Sequence, residues 1–520
     1  MASQLTPGTV DSDVENGQGP WEVVRWTKLR KISGQAFSEV GKRNFGYPTC
    51  MAVTTSIVIG TSRGVVLVFD YQQSLKTIIG PGTAALECGA ITSLALSADH
   101  STIAAGHALG DIFTWEISRS ARPFLHIPPI PSDQVETRPS DGHISGSSVV
   151  HIGFLGTRRT ALVSADTRGM AFSHLATRGM GAVGRTVKTT RILGRYPVTI
   201  GEAGFPRKPS AVLAFSPLPL GNVEQPTDSL GLVAMLTPYL LVIVSTTPVA
   251  QTQHKVPRPK EVAAHGALTG TLAWFPAIRL KGKDAQISNT KLVYCWSNVL
   301  TVMDVSEMET DEPSDRDKPP QLVFKARSRW KAEEAIVGVQ WLSRSVLAVL
   351  TITQQLLILE DRSMRVTDSI DLLNRHIYHV DLFSAQLFPL VEQFNEEDPS
   401  MHGVVADAFY MSFRSYKGRL FLLGYNEALV GALSNWADRL LALMEAGDFI
   451  GAIRLATLYF KGSSEKLTVG LPEEDVLRQP IVREKLLEMM SASLKYAFGR
   501  NVEASNERLE SRHLAELAEA

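Results

Sequence analysis

The sequence predicts a β + α protein in which an N-terminal seven-bladed WD-type β-propeller is followed by the start of an α-solenoid. Three observations predict this architecture. Short apolar runs separated by Gly, Asp and Ser fill residues 57–423. A strand, turn, strand unit recurs among them at roughly 50 residues, which is the period of propeller blades. After residue 426 the apolar residues instead take the three-and-four spacing of amphipathic helices.

Composition places the chain among ordinary folded proteins. Its 520 residues include 52 Lys and Arg against 53 Asp and Glu, a net charge of −1, and 44% are hydrophobic. This balance excludes a strongly basic nucleic-acid-binding surface and a disordered chain, so we expect no nucleic-acid partner. Three cysteines, Cys50, Cys88 and Cys295, are too few and too far apart for a disulfide scaffold. We expect them to be buried thiols of a cytosolic protein.

The first residues and the longest apolar run both argue against membrane insertion. Residues 1–20 carry three acids and no Lys or Arg, whereas a secretory signal has a basic start and an apolar centre. We therefore predict a disordered acidic tail there. The longest apolar run, residues 239–244, has the length of a strand and is far shorter than the ~20 residues that cross a bilayer. Any membrane contact is expected to be peripheral.

Residues 21–428 are assigned to the propeller, because the same hairpin recurs along them. The clearest copies are residues 56–70, 103–115 and 161–172. Each has a glycine at the end of its turn (Gly64, Gly110, Gly169), where a positive φ is needed. The weaker copies are residues 232–244, 291–303, 346–359 and 409–423. A closed ring leaves few exposed sheet edges. A β-sandwich or two smaller β domains is the alternative, which the repeat spacing disfavours.

Four polar segments stand apart from the blade pattern. Residues 128–146, 306–320 and 392–403 are predicted to be exposed loops inserted between strands. A basic segment just before the first blade contains Arg25, Lys28, Arg30 and Lys31 beside two tryptophans. Periodicity leaves two possibilities for it, an edge strand or a docking segment.

Residues 429–520 are predicted to begin an α-solenoid. Asn435 and Asp448 are placed to cap two helices, and Gly447 and Gly462 to end them. A further helix is predicted over residues 480–498, with Ile481, Leu486, Leu487, Met490, Leu494 and Phe498 as its apolar residues. Because such arrays are stabilised by neighbouring repeats, we expect this to be the front part of a longer array.

The phosphate-binding and zinc-protease motifs are missing from the sequence. It contains no GxxxxGK[ST] or HExxH motif and no strand-helix GxGxxG unit. We therefore predict a protein that is not an enzyme and has no cofactor and no metal. His376 and His379 are three apart, but no further Cys or His lies nearby to complete a metal site. His107 is predicted to be a hydrogen-bonding residue of a tight turn.

One segment has a strong excess of positive charge, although the whole chain is nearly neutral. Residues 157–195 carry eight cations against the single acid Asp166. Because salt screens charge within ~8 to 10 Å, a local excess acts even in a neutral chain. The segment is a candidate surface for an acidic partner or an anionic membrane, and dispersed solvated side chains are the alternative. The eight are Arg158, Arg159, Arg168, Arg178, Arg185, Lys188, Arg191 and Arg195.

The order of propeller and solenoid, with the helix-pair sequences WADRL (436–440) and EAGDFIGAIRLA (445–456), resembles the large vesicle-trafficking subunits related to coat proteins. The third blade, SVVHIGF (148–154) through SADTRGMAFSH (164–174), is similar to the N-terminal region of the vacuolar protein sorting-associated protein 8 family. Members of that family are specific to the endosomal tethering complex CORVET. The resemblance covers most of residues 57–462.

The resemblance implies a non-enzymatic tether that binds the GTP-loaded early-endosomal Rab GTPase. Family members join the class C core through their solenoid and support tethering and fusion in endosome-to-vacuole transport. They are cytoplasmic and peripherally associated with early or late endosome membranes. The long solenoid and RING-type zinc finger of the family are not in this sequence, so Rab or membrane contact is the expected activity. The alternative is another propeller-solenoid scaffold, such as a late-endosomal HOPS-type tether subunit, a coat or a ciliary transport component.

Overall fold

A computed structural model describes residues 24–499, except 81–83, 179–184, 197–210, 266, 281–285, 309–319, 379–403, 406–408, 410, 463–470 and 472–474. The predicted tail (1–20), the loop 392–403 and most of the loop 306–320 lie outside the described residues. The chain divides into two compact units, one of residues 27–431 and one of residues 1–26 with 432–520.

Seven four-stranded sheets form within the described residues, as predicted. Blade 1 consists of β2 (Pro48–Val53), β3 (Ile57–Thr61), β4 (Val66–Phe69) and β5 (Leu75–Ile79). Blade 2 consists of β6 (Ile91–Leu96), β7 (Thr102–His107), β8 (Ile112–Glu116) and β9 (Leu125–Ile127). Blade 3 consists of β10 (Val149–Leu155), β11 (Arg158–Asp166), β12 (Ala171–Arg178) and β13 (Arg185–Leu193). Blade 4 consists of β14 (Ala214–Pro217), β15 (Leu232–Leu236), β16 (Leu240–Ser245) and β17 (Gln251–Pro257).

The other three blades follow the same order. Blade 5 consists of β19 (Gly270–Phe275), β20 (Thr290–Trp296), β21 (Val299–Glu307) and β22 (Leu322–Lys331). Blade 6 consists of β23 (Ile336–Ser343), β24 (Val346–Thr351), β25 (Gln355–Glu360) and β26 (Val366–Asp371). Blade 7 consists of β28 (Phe413–Tyr416), β29 (Arg419–Leu423), β30 (Ala428–Leu433) and β1 (Val24–Lys28). A short parallel pair joins β18 (Ala267–Leu268) to β27 (Val404–Val405).

The ring closes in two ways. First strands of neighbouring blades contact one another around the whole cycle, ending with β28 against β2. In addition, β1 from the start of the chain is the outer strand of blade 7, next to β30. The basic segment that begins at Arg25 is therefore an edge strand over its first residues. Lys28 forms an ion pair with Glu427 at 2.9 Å across this junction.

The predicted turn glycines have positive φ values, but the first strand of blade 7 begins later than predicted. Gly64, Gly110 and Gly169 have φ values of 73°, 104° and 73°, the left-handed region that favours glycine. The prediction of a strand from residue 409 is wrong. The N–H groups of Ser412 and Phe413 both donate to the Phe409 carbonyl, which makes a turn before β28 begins.

Short helices lie between strands of the propeller unit. Helices α1 (Arg30–Ala36) and α2 (Glu39–Phe45) lie between β1 and β2, and α3 (Thr227–Leu230) precedes β15. The cores of the blades are built from alternating strand residues, and Cys50 and Cys295 are fully buried there. Burial raises the pKa of the Cys50 thiol to about 12, which keeps it protonated. The expectation of burial is wrong for Cys88, which is half-exposed.

Three helices form the second unit: α4 (Trp436–Glu445), α5 (Phe449–Lys461) and α6 (Asp475–Gly499). The first two are capped as predicted. Asn435 accepts a hydrogen bond from the Asp438 N–H at 2.8 Å and donates its own N–H to the Asp438 carboxylate at 3.0 Å. The Asp448 side chain likewise accepts from the Gly451 N–H.

Helix α6 departs from the prediction. It begins five residues before Pro480 and keeps that proline inside the helix. Among its described side chains Arg478, Val482 and Met489 are buried. The predicted Leu486 packs partly buried against the core, whereas the predicted Ile481, Leu487 and Met490 are 44%, 58% and 37% exposed. The side chains of Leu494 and Phe498 lie outside the described residues. The buried face is thus rotated from the predicted one, because the apolar residues of α6 surround the helix and packing selects among them. None of the described helices combines the length and hydropathy that a membrane crossing requires.

Candidate functional site

One face of the propeller carries the turns between the second and third strands of blades 1 to 3, together with the linkers that lead from blade to blade. We call it the turn face. A β-carbon added at Gly64 would lie 2.9 Å from the Gly89 carbonyl oxygen, so the blade 1 turn packs directly on the linker to blade 2. One added at Gly110 would lie 3.2 Å from the carbonyl oxygens of Ile144 and Ser147, in the linker to blade 3. Turns and linkers therefore form one continuous layer.

A chain of hydrogen bonds lies beneath the turn face in blade 3. His143, from the linker, places Nδ1 2.7 Å from Asp166 Oδ2 and Nε2 2.7 Å from Ser164 Oγ. Ser164 Oγ also lies 2.8 Å from His174 Nε2, and His174 Nδ1 lies 2.9 Å from Thr189 Oγ1. The first three residues thus have the Ser, His, Asp connectivity of a nucleophilic triad.

Burial gives this network a structural role. Ser164 is completely buried, Asp166 is 1% exposed and His143 is 3% exposed. The serine hydroxyl is held between two imidazoles, so no substrate carbonyl can approach it. Asp166 Oδ1 also accepts the N–H groups of Arg168 and Met170, which fixes the turn. The network fastens the linker to blade 3.

The same contacts correct one expectation about residues 128–146. The segment was predicted to be an exposed loop, yet His143 and Ile144 are 3% and 2% exposed. Ile144 packs with Phe172 and Tyr196, and the Tyr196 hydroxyl donates to the Gly142 carbonyl at 2.8 Å. The end of the insertion is therefore part of the blade 3 core, because its apolar and imidazole side chains find partners there.

Replacing Ser164 with Ala is expected to lower the free energy of unfolding by about 2 kcal/mol or more, because two buried imidazole nitrogens lose their shared partner. Urea unfolding of the variant and of the unchanged chain measures this difference. Ser145→Ala is the control, since Ser145 is an exposed serine of the same linker. If Ser164→Ala proves as stable as the control, the network does not hold the linker.

Blade 2 carries a second histidine arrangement, at the predicted turn residue His107. Its N–H donates to the Asp111 carbonyl at 2.9 Å, and its ring Nδ1 lies 3.3 Å from the Gly89 carbonyl oxygen. Complete burial lowers the pKa of His107 to about 4, so the ring is neutral at pH 7. Asp111 also lies 2.8 Å from His126 Nε2. These contacts support the predicted role of His107 in the turn.

A cavity of about 700 Å³ lies where the first strands of the blades converge. Its lining is mostly small and apolar, with the polar side chains of His151 and Arg414 among it. His151 Nε2 lies 3.0 Å from the Val212 carbonyl oxygen, and burial lowers the pKa of this imidazole to about 4. Arg414 donates to the Met51 carbonyl at 3.1 Å. Within the described ranges no group of three His, Cys, Asp or Glu is placed to hold a metal ion.

Blade 3 distributes the eight predicted cations between its two ends. Arg158 and Arg159 begin β11, and Arg178 and Arg185 are paired where β12 ends and β13 begins, so these four lie at the end opposite the turn face. The side chains of Arg178 and Arg185 lie outside the described residues. Arg168, Arg191 and Arg195 lie at the turn face, and Lys188 lies midway along the outer strand. The eight do not form a single cluster.

Two of these arginines have specific contacts. Arg159 forms ion pairs with Glu116 at 3.3 Å and with Asp99 at 3.4 Å, which fasten blade 3 to blade 2. The guanidinium of Arg191 lies 5.4 Å from the centre of the Tyr196 ring. Arg168 and Arg195 are exposed. Arg158, at the opposite end, is exposed as well, so exposed arginines lie at both ends of blade 3.

Exposed apolar side chains on the turn face were missed by the sequence reasoning. Tyr47, Leu86 and Leu109 are 62%, 40% and 46% exposed. Leu109 occupies the turn of blade 2, and Tyr47 and Leu86 lie in linkers. A large apolar residue at a hairpin turn, where polar residues are usual, is the sequence signal that points to Leu109.

The propeller sequence matches a family model described as the Vps8 beta-propeller over residues 22–432. The chain belongs to the Vps8 β-propeller family. The matched range contains all seven blades and ends at the last residues of β30. The outer strand β1, which closes the ring, also lies within the matched range.

Individual relatives agree with this assignment. The vacuolar protein sorting-associated protein 8 homolog of Mus musculus is 22% identical over 471 residues, which are 90% of this chain and 29% of the relative. Vacuolar protein sorting-associated protein 8 of Saccharomyces cerevisiae is 22% identical over 84% of this chain and 30% of its own length. The chain thus spans less than a third of these Vps8 relatives.

A solved β-propeller is also similar. The Cps50 (Swd1) β-propeller domain of Myceliophteria thermophila aligns with 75% of this chain and 97% of its own, with a TM-score of 0.45 and 10% identity.

Proposed function

We propose that this chain is the propeller part of an endosomal tether subunit, and that it binds the GTP-loaded form of an early-endosomal Rab GTPase. In this proposal it has no enzymatic activity and works by holding a membrane-bound partner. The solenoid that begins with α4 to α6 continues toward the class C core of a CORVET-like complex. The protein is cytoplasmic and peripheral to the endosome membrane, and it supports tethering and fusion in endosome-to-vacuole transport.

The observation that carries the proposal is the Vps8 family match, which extends over the whole propeller from residue 22 to residue 432. Two features of the described residues support a binding role. The triad-like residues of blade 3 are buried and saturated with hydrogen bonds. The turn face, by contrast, exposes apolar and cationic side chains, the usual composition of protein interaction sites.

Binding to an immobilised early-endosomal Rab GTPase tests the proposal. The chain is expected to bind the GTPase loaded with a non-hydrolysable GTP analogue at least about tenfold more tightly than the GDP-loaded form, which corresponds to about 1.4 kcal/mol. Surface plasmon resonance with both nucleotide forms measures the ratio. A preference of this kind is the expected result for an effector that recognises the nucleotide-ordered switch segments of a GTPase.

A late-endosomal Rab GTPase in both nucleotide forms is the matched control. Binding restricted to that GTPase would contradict the early-endosomal assignment and favour a HOPS-type subunit. Equal binding to the GTP and GDP forms would contradict the preference for the GTP-loaded state. Binding to neither form would leave a scaffold that does not recognise a Rab.

A further inference from the structure

The exposed apolar side chains of the turn face lie in a row that crosses blades 1 and 2. The backbone of Tyr47 is joined to the blade 1 turn, since its N–H donates to Ser62 Oγ at 2.9 Å and its carbonyl accepts from the Ser62 N–H at 2.8 Å. That turn packs on the linker that carries Leu86, because a β-carbon at Gly64 would lie 3.4 Å from Leu86 Cα. Tyr47 and Leu86 therefore lie on either side of one turn.

The row continues into blade 2. The Leu109 N–H donates to the Cys88 carbonyl at 3.2 Å, two residues beyond Leu86. A β-carbon at Gly89 would lie 3.7 Å from Leu109 Cγ, so the leucine side chain reaches back over the linker. Leu109 is also connected toward blade 3, because its carbonyl accepts the Gly146 N–H at 2.9 Å. We call Tyr47, Leu86 and Leu109 the apolar row.

Local hydrogen bonds and helical structure order the backbone of this row. Tyr47 and Leu109 form main-chain hydrogen bonds with neighbouring turns and linkers, and Leu86 lies in the short 3-10 helix Ala84–Cys88. An ordered backbone lowers the conformational entropy lost when the side chains are covered. Large apolar side chains that are 40% or more exposed and adjacent to one another mark interaction sites more often than scattered ones do. The row has the composition of the apolar centre of an interface, where tyrosine is enriched.

Cations flank the row at both ends. At the blade 1 end, Arg43 and Arg63 are exposed, and the Arg63 side chain donates to the Arg43 carbonyl. Arg168 and Arg195 are exposed on blade 3 of the same face, beyond a linker whose exposed side chains include the acids Asp133 and Glu136. Glu87 follows Leu86, so the positive charge belongs to the ends of the row and not to its centre. This pattern is complementary to an apolar patch bordered by carboxylates.

We infer that the apolar row is the surface on which the propeller docks its GTPase, with the flanking arginines facing acidic residues of that partner. This inference rests on the proposed function and adds the location and chemistry of the contact. A protein partner fits better than a lipid surface, because the cations are separated by an apolar centre and do not form one continuous basic patch. The row lies on blades 1 and 2, whereas the blade 3 arginines supply only one edge of the site.

The double variant Leu86→Asp, Leu109→Asp tests the inference in the full 520-residue chain. Two carboxylates at the centre of the contact are expected to weaken binding to the GTP-analogue-loaded GTPase by at least about 30-fold, since truncating or charging central interface residues dominates affinity. Both side chains are exposed, so the circular dichroism spectrum and the melting temperature should stay close to those of the unchanged chain. Surface plasmon resonance with the same GTPase measures the loss.

The matched control is Leu175→Asp, Val249→Asp, which adds the same charge at two other exposed apolar positions, 36% and 75% exposed. Leu175 is in the middle of β12 and Val249 lies in the turn between β16 and β17, at the end of the blade opposite the turn face. This control is expected to bind within about threefold of the unchanged chain. Together the two variants separate the location of the charge from its amount.

The outcomes distinguish the inference from the proposed function. If the unchanged chain binds the GTPase and the apolar-row variant binds equally well, the location is wrong and the proposed function stands. If the unchanged chain binds neither nucleotide form, both are overturned. If the apolar-row variant loses sedimentation with vesicles containing 30% phosphatidylserine but keeps its GTPase affinity, the surface belongs to lipid and the inference is overturned.

Discussion

At pH 5 the propeller should be less stable toward unfolding than at pH 7 by about 6 kcal/mol, because three buried histidines remain neutral in the folded state. Burial lowers the pKa of His107 and of His151 to about 4, and that of His174 to about 3. All three are at most 3% exposed. In the unfolded chain the same imidazoles have a pKa near 6.5.

The direction of the pH effect on the free energy of unfolding follows from proton binding. About one pH unit above 6.5 both states hold these imidazoles almost entirely neutral, so their contribution no longer changes with pH. Between pH 6.5 and about 4 the unfolded chain binds protons that the folded chain excludes, which favours unfolding by about 1.36 kcal/mol per pH unit for each histidine. At pH 5 this amounts to about 2 kcal/mol for each of the three. The stability is therefore present above pH 6.5 and is lost as the pH falls.

Urea unfolding at pH 7.5, 6.5, 5.5 and 5.0 measures the slope. The variant His151→Gln keeps a donor for the Val212 carbonyl but does not titrate, so its slope should be smaller by about 1.36 kcal/mol per pH unit. Asp70, whose pKa is lowered from 3.8 by its hydrogen bond to Lys76, loses its effect only below about pH 4 and does not enter this window. A free energy of unfolding that is constant from pH 7 to pH 5 would contradict the prediction.

His107 also shows where sequence reasoning succeeds. The turn role of His107 and the positive φ of Gly64 depend on neighbours within a few residues, so local pattern is enough. The same holds for the capping box of Asn435 and Asp438. Each of these features is decided by hydrogen bonds within one turn of backbone, and each was predicted.

Features that depend on distant contacts were not predictable in this way. The strand β1 pairs in the sheet that holds β30, about 400 residues later, because ring closure and not local pattern selects its partner. His143 lies in a segment that is polar on average. It is nevertheless buried, because its two ring nitrogens form hydrogen bonds with Asp166 and Ser164 of blade 3. Outer strands such as β26 (Val366–Asp371) are half-exposed and polar. They therefore lack the apolar runs by which the inner strands are recognised in the sequence.

The candidate site likewise has features that local sequence reveals and features that depend on distant contacts. The excess of cations in residues 157–195 is a property of composition, and the sequence reveals it. Their placement depends on where each strand of blade 3 ends, and this separates Arg158 from Arg168. The apolar row depends on contacts between successive blades, which periodicity does not report. A single exposed leucine such as Leu109 becomes significant only when the linker beside it carries Leu86.

Replacing Asp361 with Asn is expected to lower the free energy of unfolding by about 3 to 5 kcal/mol, because it removes the carboxylate that pairs with the buried ammonium of Lys291. Asp361 is 1% exposed and follows β25 in blade 6. Its Oδ2 accepts from Lys291 Nζ at 2.6 Å and from the guanidinium of Arg327, both from blade 5. The cluster therefore fastens two neighbouring blades.

Lys291 is the reason for the large effect, since it is 5% exposed and cannot reach water when its partner is neutralised. Burial already lowers the pKa of this lysine, and the Asp361 carboxylate opposes that shift. In Asp361→Asn the ammonium must either stay charged without an anion or lose its proton, and both are unfavourable. The double variant Lys291→Met, Asp361→Asn removes the buried ammonium and should recover part of the lost stability. Glu333 is exposed, so the control Glu333→Gln should change the free energy of unfolding by less than about 0.5 kcal/mol. Urea unfolding at pH 7 measures all three, and an Asp361→Asn chain as stable as the control would mean that the ion cluster does not hold the blades together.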